Sequence, residues 1–428
     1  MIVAATLGHS LARVGLIADA LLAAAMLLLA GRARRAAVAA AVGLTPLLLA
    51  GTLWKSSQVL HLRHHPALAL AGILAALVLV AALGLLYRRH GGLLALSAVV
   101  ALPFRFSVLS GGTGGVLLIL YAVIGGGAVA YVVWGERDEE APPAGMLERA
   151  LAAFVVLYAL QATYSPDLTK AAEELCFFFV PFSVLFVLLR RVRWDAALLR
   201  RCAFAIVGLA LLFAGVAAVE YASRQLIFHA ALNDNQRYFR VNSLFYDPNI
   251  YGRFLALTMV VVAAALMWET RLRAVAAMAA ALALLWLALL ASVSQSSFVA
   301  LLAGLAVIAA VRLPPRATAA GALAVIAAVA IVAVAASGTL HLNLSDTSSA
   351  DNTTGGRASL VKQGADIFAA RPLQGYGSGS FSCEYLRRGD PAHRCGTPAS
   401  PGVTSDSHTT PITVAAEQGV IGSSRKSA

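Results

Sequence analysis

A succession of long apolar runs is the feature that most limits what this chain can fold into. Most of the runs approach the roughly 20 residues that an α-helix needs to cross a bilayer. Hydrophobic residues make up 60% of the chain and charged residues 13%, whereas a soluble domain has about 45–50% and about 25%. The solvent for such a chain must be lipid. The runs lie near residues 11–30, 36–54, 66–87, 91–104, 115–134, 148–163, 172–189, 203–221, 248–267, 274–291, 298–311 and 317–336.

These runs predict an all-α fold, a polytopic transmembrane helical bundle with about 12 spans. Two of them, 91–104 and 298–311, are short, so we expect tilted, broken or re-entrant segments there. Strands are not expected, since the alternating patterns of about ten residues that mark membrane barrels are absent from the sequence. The segment 337–410 is rich in Ser, Thr, Gly, Asn and Pro. It predicts a large polar loop that carries function.

Basic residues are distributed unevenly between the two sides of the predicted bundle. Sixteen lie in one set of loops and seven in the alternate short loops. Because Lys and Arg concentrate on the cytoplasmic side, the segments 224–248 and 337–410 are predicted to lie outside the cytoplasm. The same count puts the N-terminus outside, and one miscounted short span would reverse only the first few helices. The net charge of +12 comes from such clusters without interleaved aromatics, so no nucleic-acid partner is expected.

Three motifs follow one another in the C-terminal half of the chain. They are RVNSLFYDPNIYG at 240–252, Gly356-Arg357 followed by RPLQGYGSGSF at 371–381, and Ser407-His408 followed by AEQGVIG at 416–422. In order, spacing and predicted outer location they resemble the O-antigen ligase and O-antigen polymerase superfamily of bacterial membrane glycosyltransferases. The resemblance extends over about residues 205–422.

This resemblance implies a metal-independent, C-type glycosyltransferase of cell-surface polysaccharide biosynthesis in the cytoplasmic (inner) membrane. The donor would be a glycan linked to a polyprenyl diphosphate, such as undecaprenyl diphosphate, and no cofactor is implied. The acceptor hydroxyl would belong to another lipid-linked repeat in a polymerase, or to a glycolipid or glycan of the cell surface in a ligase. The resemblance divides the chain into N-terminal transmembrane helices (1–204), a catalytic region that includes the outer loop 337–410 (205–422) and a short tail (423–428).

Two arginines and a histidine of the predicted outer segments are the candidate catalytic residues. Guanidinium groups stay charged and can hold phosphate through two parallel hydrogen bonds, so Arg240 and Arg357 suit the donor's diphosphate. The alternative is that they are interfacial anchors whose side chains reach lipid headgroups. A neutral imidazole at His408 can take the proton of the acceptor hydroxyl. The alternative for His408 is an ordinary surface loop histidine.

Three residues at the entrance of the run 248–267 are candidates for substrate binding. Asp247 and Asn249 flank Pro248, and either one can instead cap the helix that starts there. Arg253 lies one turn into the span, where an unpaired charge is unfavourable. We expect Arg253 to face a cavity or pair with an acid, and it is also a candidate phosphate contact.

Cys383 and Cys395 share the outer loop, and they can form a disulfide if that loop faces an oxidising compartment. No metal site is expected. The histidine-rich stretch 61–65 has no nearby carboxylate or thiol to complete a ligand set. The glycine run 111–115 lacks the Lys-Ser/Thr of a phosphate-binding loop.

Two departures from the superfamily pattern bear on activity. The outer turn where many members have Ser-Arg reads SQSSF at 294–298, so a phosphate-binding arginine is missing there unless Arg253 or an arginine of the large loop replaces it. The chain ends soon after Gly422, and 411–422 is too short to span a bilayer, whereas the superfamily continues with further helices. An inactive, truncated member is therefore one alternative.

A polysaccharide or small-solute transporter or flippase is the other alternative. Acidic side chains inside membrane spans often belong to proton or ion relays. Four occur within or at the ends of the apolar runs: Asp19, Glu173, Glu174 and Glu220. Against this interpretation, the sequence shows no internal repeat of the kind common in transporters.

Overall fold

The computed structural model describes residues 2–52, 54, 64–104, 106–107, 115–135, 144–227, 239–245, 247–312, 314, 316, 357–390, 393, 395 and 410–423. Within these ranges it describes the backbone alone for residues 2–9, 106–107, 115–116, 357–358 and 421–423. The predicted span 317–336 and most of the loop 337–410 lie outside the described residues.

The described chain is almost entirely α-helical, which confirms the predicted fold class. The described residues also contain two strands of two residues each, β1 (Phe106–Ser107) and β2 (Gly115–Val116), which pair antiparallel. Leu175–Phe179 forms a π-helical turn just before Pro181, whose nitrogen has no hydrogen to donate. The α-helices are α1 (Ile2–Leu28), α2 (Gly31–Thr52), α3 (Pro66–Arg89), α4 (Gly92–Ala101), α5 (Leu118–Trp134), α6 (Met146–Ala162), α7 (Leu168–Glu174), α8 (Val180–Arg190), α9 (Ala196–Ser223), α10 (Pro248–Leu266), α11 (Leu272–Ser292), α12 (Gln295–Arg312), α13 (Arg357–Ala370), α14 (Phe381–Gly389) and α15 (Thr410–Ser423).

Eight helical stretches among the described residues are long and apolar enough to cross a membrane. They are Ser10–Leu28, Gly31–Thr52, Pro66–Arg89, Leu168–Arg190, Ala196–Ser223, Pro248–Leu266, Leu272–Ser292 and Gln295–Arg312. The 10 residues of α4 rise only about 15 Å, half of the roughly 30 Å hydrocarbon core, as expected for the short run 91–104. The protein is a multi-pass helical membrane protein, and the number of about 12 spans stays a prediction.

Aspartate side chains cap the N-termini of several of these helices. Asp167 accepts a hydrogen bond from the backbone N–H of Lys170 at 3.0 Å at the start of α7. Asp195 accepts one from Leu198 at 2.6 Å at the start of α9. These bonds satisfy N–H groups of the first helical turn that have no partner within the helix.

The chain forms two compact units that alternate along the sequence. The first comprises Met1–Arg89, Ile124–Arg191 and Ser337–Ala428, and the second comprises His90–Val123 and Val192–Ala336. The division predicted between residues 204 and 205 rests on the resemblance and stays a prediction.

In the first unit, α1 packs against α2, α6 and α8, and α13 packs against α15. Ile367, Phe381 and Ala416 form a small buried core between α13, α14 and α15, with Tyr376 and Tyr385 packed against it. This core brings the second motif (371–381) and the third motif (416–422) together.

In the second unit, α10 packs against α11 and α12, and α9 packs against α4 and α11. Phe245 lies edge-on to Phe213 of α9, with ring centroids 5.4 Å apart, and 5.5 Å from the ring of Tyr251. Such aromatic contacts combine a large buried apolar area with a preferred geometry. They hold the first motif (240–252) against α9.

Candidate active site

The first motif folds around a hydrogen-bonded pair, Arg240 and Asn249. Arg240 Nη2 donates to Asn249 Oδ1 at 3.0 Å, and Arg240 Nε donates to the carbonyl oxygen of Ser292 at 3.0 Å. Ser292 is the last residue of α11, where carbonyl groups lack a partner within the helix. The half-buried guanidinium is therefore bonded to the protein, in contrast to the alternative of an anchor that extends to headgroups.

Asp247 caps α10, as one of the two sequence interpretations predicts. Its Oδ1 accepts hydrogen bonds from the backbone N–H of Asn249 at 2.6 Å and of Ile250 at 3.3 Å. Pro248 occupies the first helical position, where a missing N–H has no consequence. The cap fixes the backbone position of Asn249, whose side-chain oxygen accepts the hydrogen bond from Arg240.

The serine-rich turn 294–298, which has no arginine, supplies hydroxyl groups to this pair instead. Ser294 Oγ donates to Asn249 Oδ1 at 3.2 Å, and the hydroxyls of Ser294 and Ser297 are 2.7 Å apart. A Cβ atom added at Gly252 would lie 2.6 Å from Ser297 Oγ, so the glycine permits this close approach. We name Arg240, Asn249, Ser294 and Ser297 the arginine–serine cluster. The sequence did not predict a role for the two serines, because only the missing arginine of their turn was considered.

Arg253, in the second turn of α10, has an exposed side chain. It forms no ion pair with any acid in the described part of the chain. The expectation of an acidic partner therefore finds no support among these residues. A role in phosphate binding stays a prediction.

In the first unit, the Glu417 carboxylate binds the second motif. Glu417 Oε2 accepts a hydrogen bond from the backbone N–H of Gly379 at 3.0 Å, and Oε1 accepts one from Phe381 at 3.1 Å. The backbone N–H of Gly377 donates to the Glu417 carbonyl oxygen at 2.8 Å. The N–H of Val420 donates to the carbonyl of Pro372 at 2.7 Å. The two motifs thus form one structure, which we call the glycine loop (371–381) and its Glu417 clamp.

Glycine is needed in this loop for close approach as well as for backbone conformation. Gly375 has φ +66°, and a Cβ atom there would overlap the carbonyl oxygen of Glu417. Gly377 has φ +100°, and its Cβ would lie 2.7 Å from the Cα of Ser165. An L-residue with a side chain fits neither the positive φ nor the space.

The hairpin formed by α6 and α7 provides the other side of the glycine loop. Ser378 Oγ donates to the carbonyl of Tyr158 at 2.9 Å. Tyr164 donates from its hydroxyl to the carbonyl of Gln374 at 2.7 Å. These bonds join a loop near the C-terminal end of the chain to helices some two hundred residues earlier.

The Glu417 side chain is buried, and its protonation follows from its surroundings. Burial first, and then the nearby charge of Glu174, raise the pKa of this carboxyl to about 8. The N–H groups of Phe381 and Gly379 oppose the rise, because they favour the ionised form. The clamp is therefore a carboxyl that can change charge near neutral pH.

A comparison with known families identifies the segment that contains this loop. Residues 280–424 match the O-antigen ligase family. The resemblance drawn from the motifs is confirmed for this segment. No curated protein and no solved structure gives a significant match to the chain.

The O-antigen ligase segment includes the glycine loop, Glu417 and the serine turn 294–298, whereas Arg240 and Asn249 precede it. Arg357 is the first residue of α13, and its side chain is not among those described. His408 lies outside the described residues, two positions before α15 begins. The roles of Arg240, Arg357 and His408 stay predictions.

The predicted cysteine pair of the outer loop also lies in the O-antigen ligase segment. The structure joins Cys383 and Cys395 by a disulfide, with Cα atoms 5.4 Å apart. Cys383 is buried in α14.

The acids that suggest a transporter all have protein partners. Asp19 accepts from Thr45 Oγ1 at 3.0 Å. Glu220 accepts from the backbone N–H of Ser243 at 2.8 Å, as well as from two other backbone N–H groups. Glu174 accepts from the Tyr158 hydroxyl at 2.7 Å, and Glu173 lies 3.9 Å from Lys170. The contacts of Asp19, Glu174 and Glu220 join separate segments of the chain, whereas that of Glu173 lies within α7.

No group of three or more potential metal ligands (His, Cys, Asp or Glu) occurs among the described residues. Of the histidine-rich stretch 61–65, His64 and His65 are described and exposed. His61 lies outside the described part of the chain.

Proposed function

We propose that this protein is a glycosyltransferase of the cytoplasmic membrane that acts at the outer face. It transfers a glycan from a polyprenyl diphosphate to a sugar hydroxyl, which belongs either to another lipid-linked repeat or to a surface glycolipid or glycan. The family match over 280–424 is the observation that carries this proposal. The bonded position of Arg240 supports it, because a preorganised guanidinium suits a diphosphate.

The reaction is a displacement at the anomeric carbon of the donor sugar. His408 takes the proton of the acceptor hydroxyl as its oxygen forms the new glycosidic bond. The bond between the anomeric carbon and the diphosphate oxygen breaks, and its electron pair leaves with the diphosphate. Arg240 and Arg357 bind the diphosphate and stabilise the charge that grows on it.

We place the segment 337–410 outside the cytoplasm on the basis of the sixteen-to-seven asymmetry of basic residues. Metal is not needed in this scheme, since arginines take the charge-stabilising role. Addition of a chelator should accordingly leave the activity unchanged.

The test is glycan transfer from a polyprenyl-diphosphate donor by the purified protein in detergent. His408→Ala should retain donor binding and lose about 10²–10⁴-fold in kcat, the usual effect of one acid–base group. Arg240→Ala should lower turnover strongly, and Arg240→Lys should restore it only in part, because lysine lacks the planar fork. His393→Ala, a histidine of the same outer segment, is the matched control and should behave as wild type.

Full activity of the His408→Ala protein would remove the base assignment. Substrate-dependent uptake into proteoliposomes without bond formation would favour a transporter, and the absence of both activities would favour an inactive family member.

A further inference from the structure

The glycine loop carries an arginine that the proposed function does not use. Arg371 is the first residue of the glycine loop, and its side chain is exposed. Its guanidinium carbon lies 4.4 Å from the centroid of the Tyr376 ring. A guanidinium stacked on an aromatic face keeps its N–H donors at the edge of the stack, where a planar or tetrahedral anion can reach them.

Two arginines of the neighbouring helix α14 have other partners. Arg387 forms an ion pair with Glu384 at 3.1 Å, and Arg388 donates to the carbonyl oxygen of Asp366 at 2.9 Å. Among the described residues, Arg371 contacts the Tyr376 ring and no carboxylate. Its positive charge is therefore not neutralised by a neighbouring acid in this part of the chain.

The position of Arg371 is set by the Glu417 clamp. The backbone N–H of Tyr376 donates to the carbonyl of Ala416 at 3.3 Å, and its ring packs against the core that contains Phe381. The N–H of Gly375 donates to the Arg371 carbonyl at 3.0 Å, closing the turn between the arginine and the tyrosine. The carboxylate of Glu417 holds the far end of the same loop.

We propose that Arg371 is a further residue that binds the diphosphate of the lipid-linked donor, and that Glu417 is its positioning residue. This inference rests on the proposed function and extends it. It gives the protein a phosphate-binding arginine in the large loop, where the serine turn 294–298 has none. An anionic lipid headgroup offers the same phosphate chemistry, so the experiment must separate the two sources.

Equilibrium binding of undecaprenyl diphosphate to the full chain in nanodiscs is the test, because it needs no turnover. In phosphatidylcholine nanodiscs, Arg371→Ala should weaken binding about tenfold or more, the effect of losing a charge-assisted contact. Arg371→Lys should be intermediate. Arg388→Ala is the matched control and should bind within about twofold of wild type, as exposed charges usually do.

The same ratio between wild type and Arg371→Ala is expected in nanodiscs that contain phosphatidylglycerol. An effect seen in the anionic membrane alone would mean that Arg371 contacts headgroups, which overturns the proposal. Equal binding by wild type and Arg371→Ala in both membranes would overturn it while leaving the proposed function intact. Absence of binding by the wild-type protein would instead refute the proposed function, and this inference with it.

The positioning role has its own measurement. Glu417→Gln keeps the shape of the side chain but replaces one acceptor oxygen of the ionised carboxylate by an amide donor that faces a backbone N–H, so binding is compared above about pH 8, where Glu417 is ionised. Like Arg371→Ala, it should weaken the binding of undecaprenyl diphosphate. The double variant should bind as tightly as the weaker-binding of the two single variants, because both changes remove the same contact. Additive losses, or a Glu417→Gln protein that melts earlier yet binds normally, would show a purely structural role.

Discussion

Replacement of Gly375 by alanine is the sharpest test of how the second and third motifs fit together. Gly375 has φ +66°, and an L-residue in the left-handed region costs about 1–2 kcal/mol. Its Cβ would overlap the Glu417 carbonyl oxygen, so the loop has to move away from α15. That movement breaks the hydrogen bonds from Gly377 to Glu417 and from Tyr376 to Ala416. At about 1 kcal/mol each, the total destabilisation is roughly 3–4 kcal/mol.

Gly389→Ala is the control, because a Cβ atom at Gly389 meets nothing within 4 Å and the residue has no positive φ. This variant should change stability by no more than about 0.5 kcal/mol. The assay is the apparent melting temperature of the purified proteins in one detergent. With about 2.1 cal/mol/K of unfolding entropy per residue, a loss of roughly 3–4 kcal/mol lowers the melting temperature of a 428-residue chain by about 3–4 °C. Equal melting temperatures for Gly375→Ala, Gly389→Ala and wild type would refute the close packing of the two motifs.

Three further results are expected. Cysteines introduced at Asn343 and Gly402 should react with a membrane-impermeant maleimide in intact cells, because the basic-residue count puts 337–410 outside; labelling only after lysis would contradict this. Mass spectrometry under non-reducing conditions should find the peptides of Cys383 and Cys395 linked, whereas free thiols at both in freshly purified protein would contradict the disulfide. The pKa of Glu417 is raised from 4.5 to about 8 on folding, so its stabilising effect is complete below about pH 4.5 and is lost as pH rises through about 8. The melting temperature of the wild-type protein should therefore fall more steeply between about pH 5 and pH 8 than that of Glu417→Gln, and equal slopes would contradict the raised pKa.

The membrane character, the helices and the family resemblance could be predicted from the sequence. Each depends on local information, since hydropathy within a run of about 20 residues is enough to indicate a membrane helix. The cap at Asp247 was predictable for the same reason, because the residue, the proline after it and the helix are adjacent in sequence. The motif AEQGVIG at 416–422 was recognised as a pattern, but its letters do not reveal which groups the glutamate binds.

Only the tertiary structure decided what the motif residues contact. Glu417 receives hydrogen bonds from backbone N–H groups 36 and 38 positions away, and backbone donors leave no signature in a sequence. Asn249 looked like a possible cap, yet its side chain accepts from Arg240 and Ser294, because the packing of α10 against α11 brings the serine turn to it. The turn 294–298 has no arginine, and in the structure it supplies hydroxyl groups to Asn249 instead. Hydropathy sets which segments enter the membrane, and packing between distant segments sets which polar groups meet.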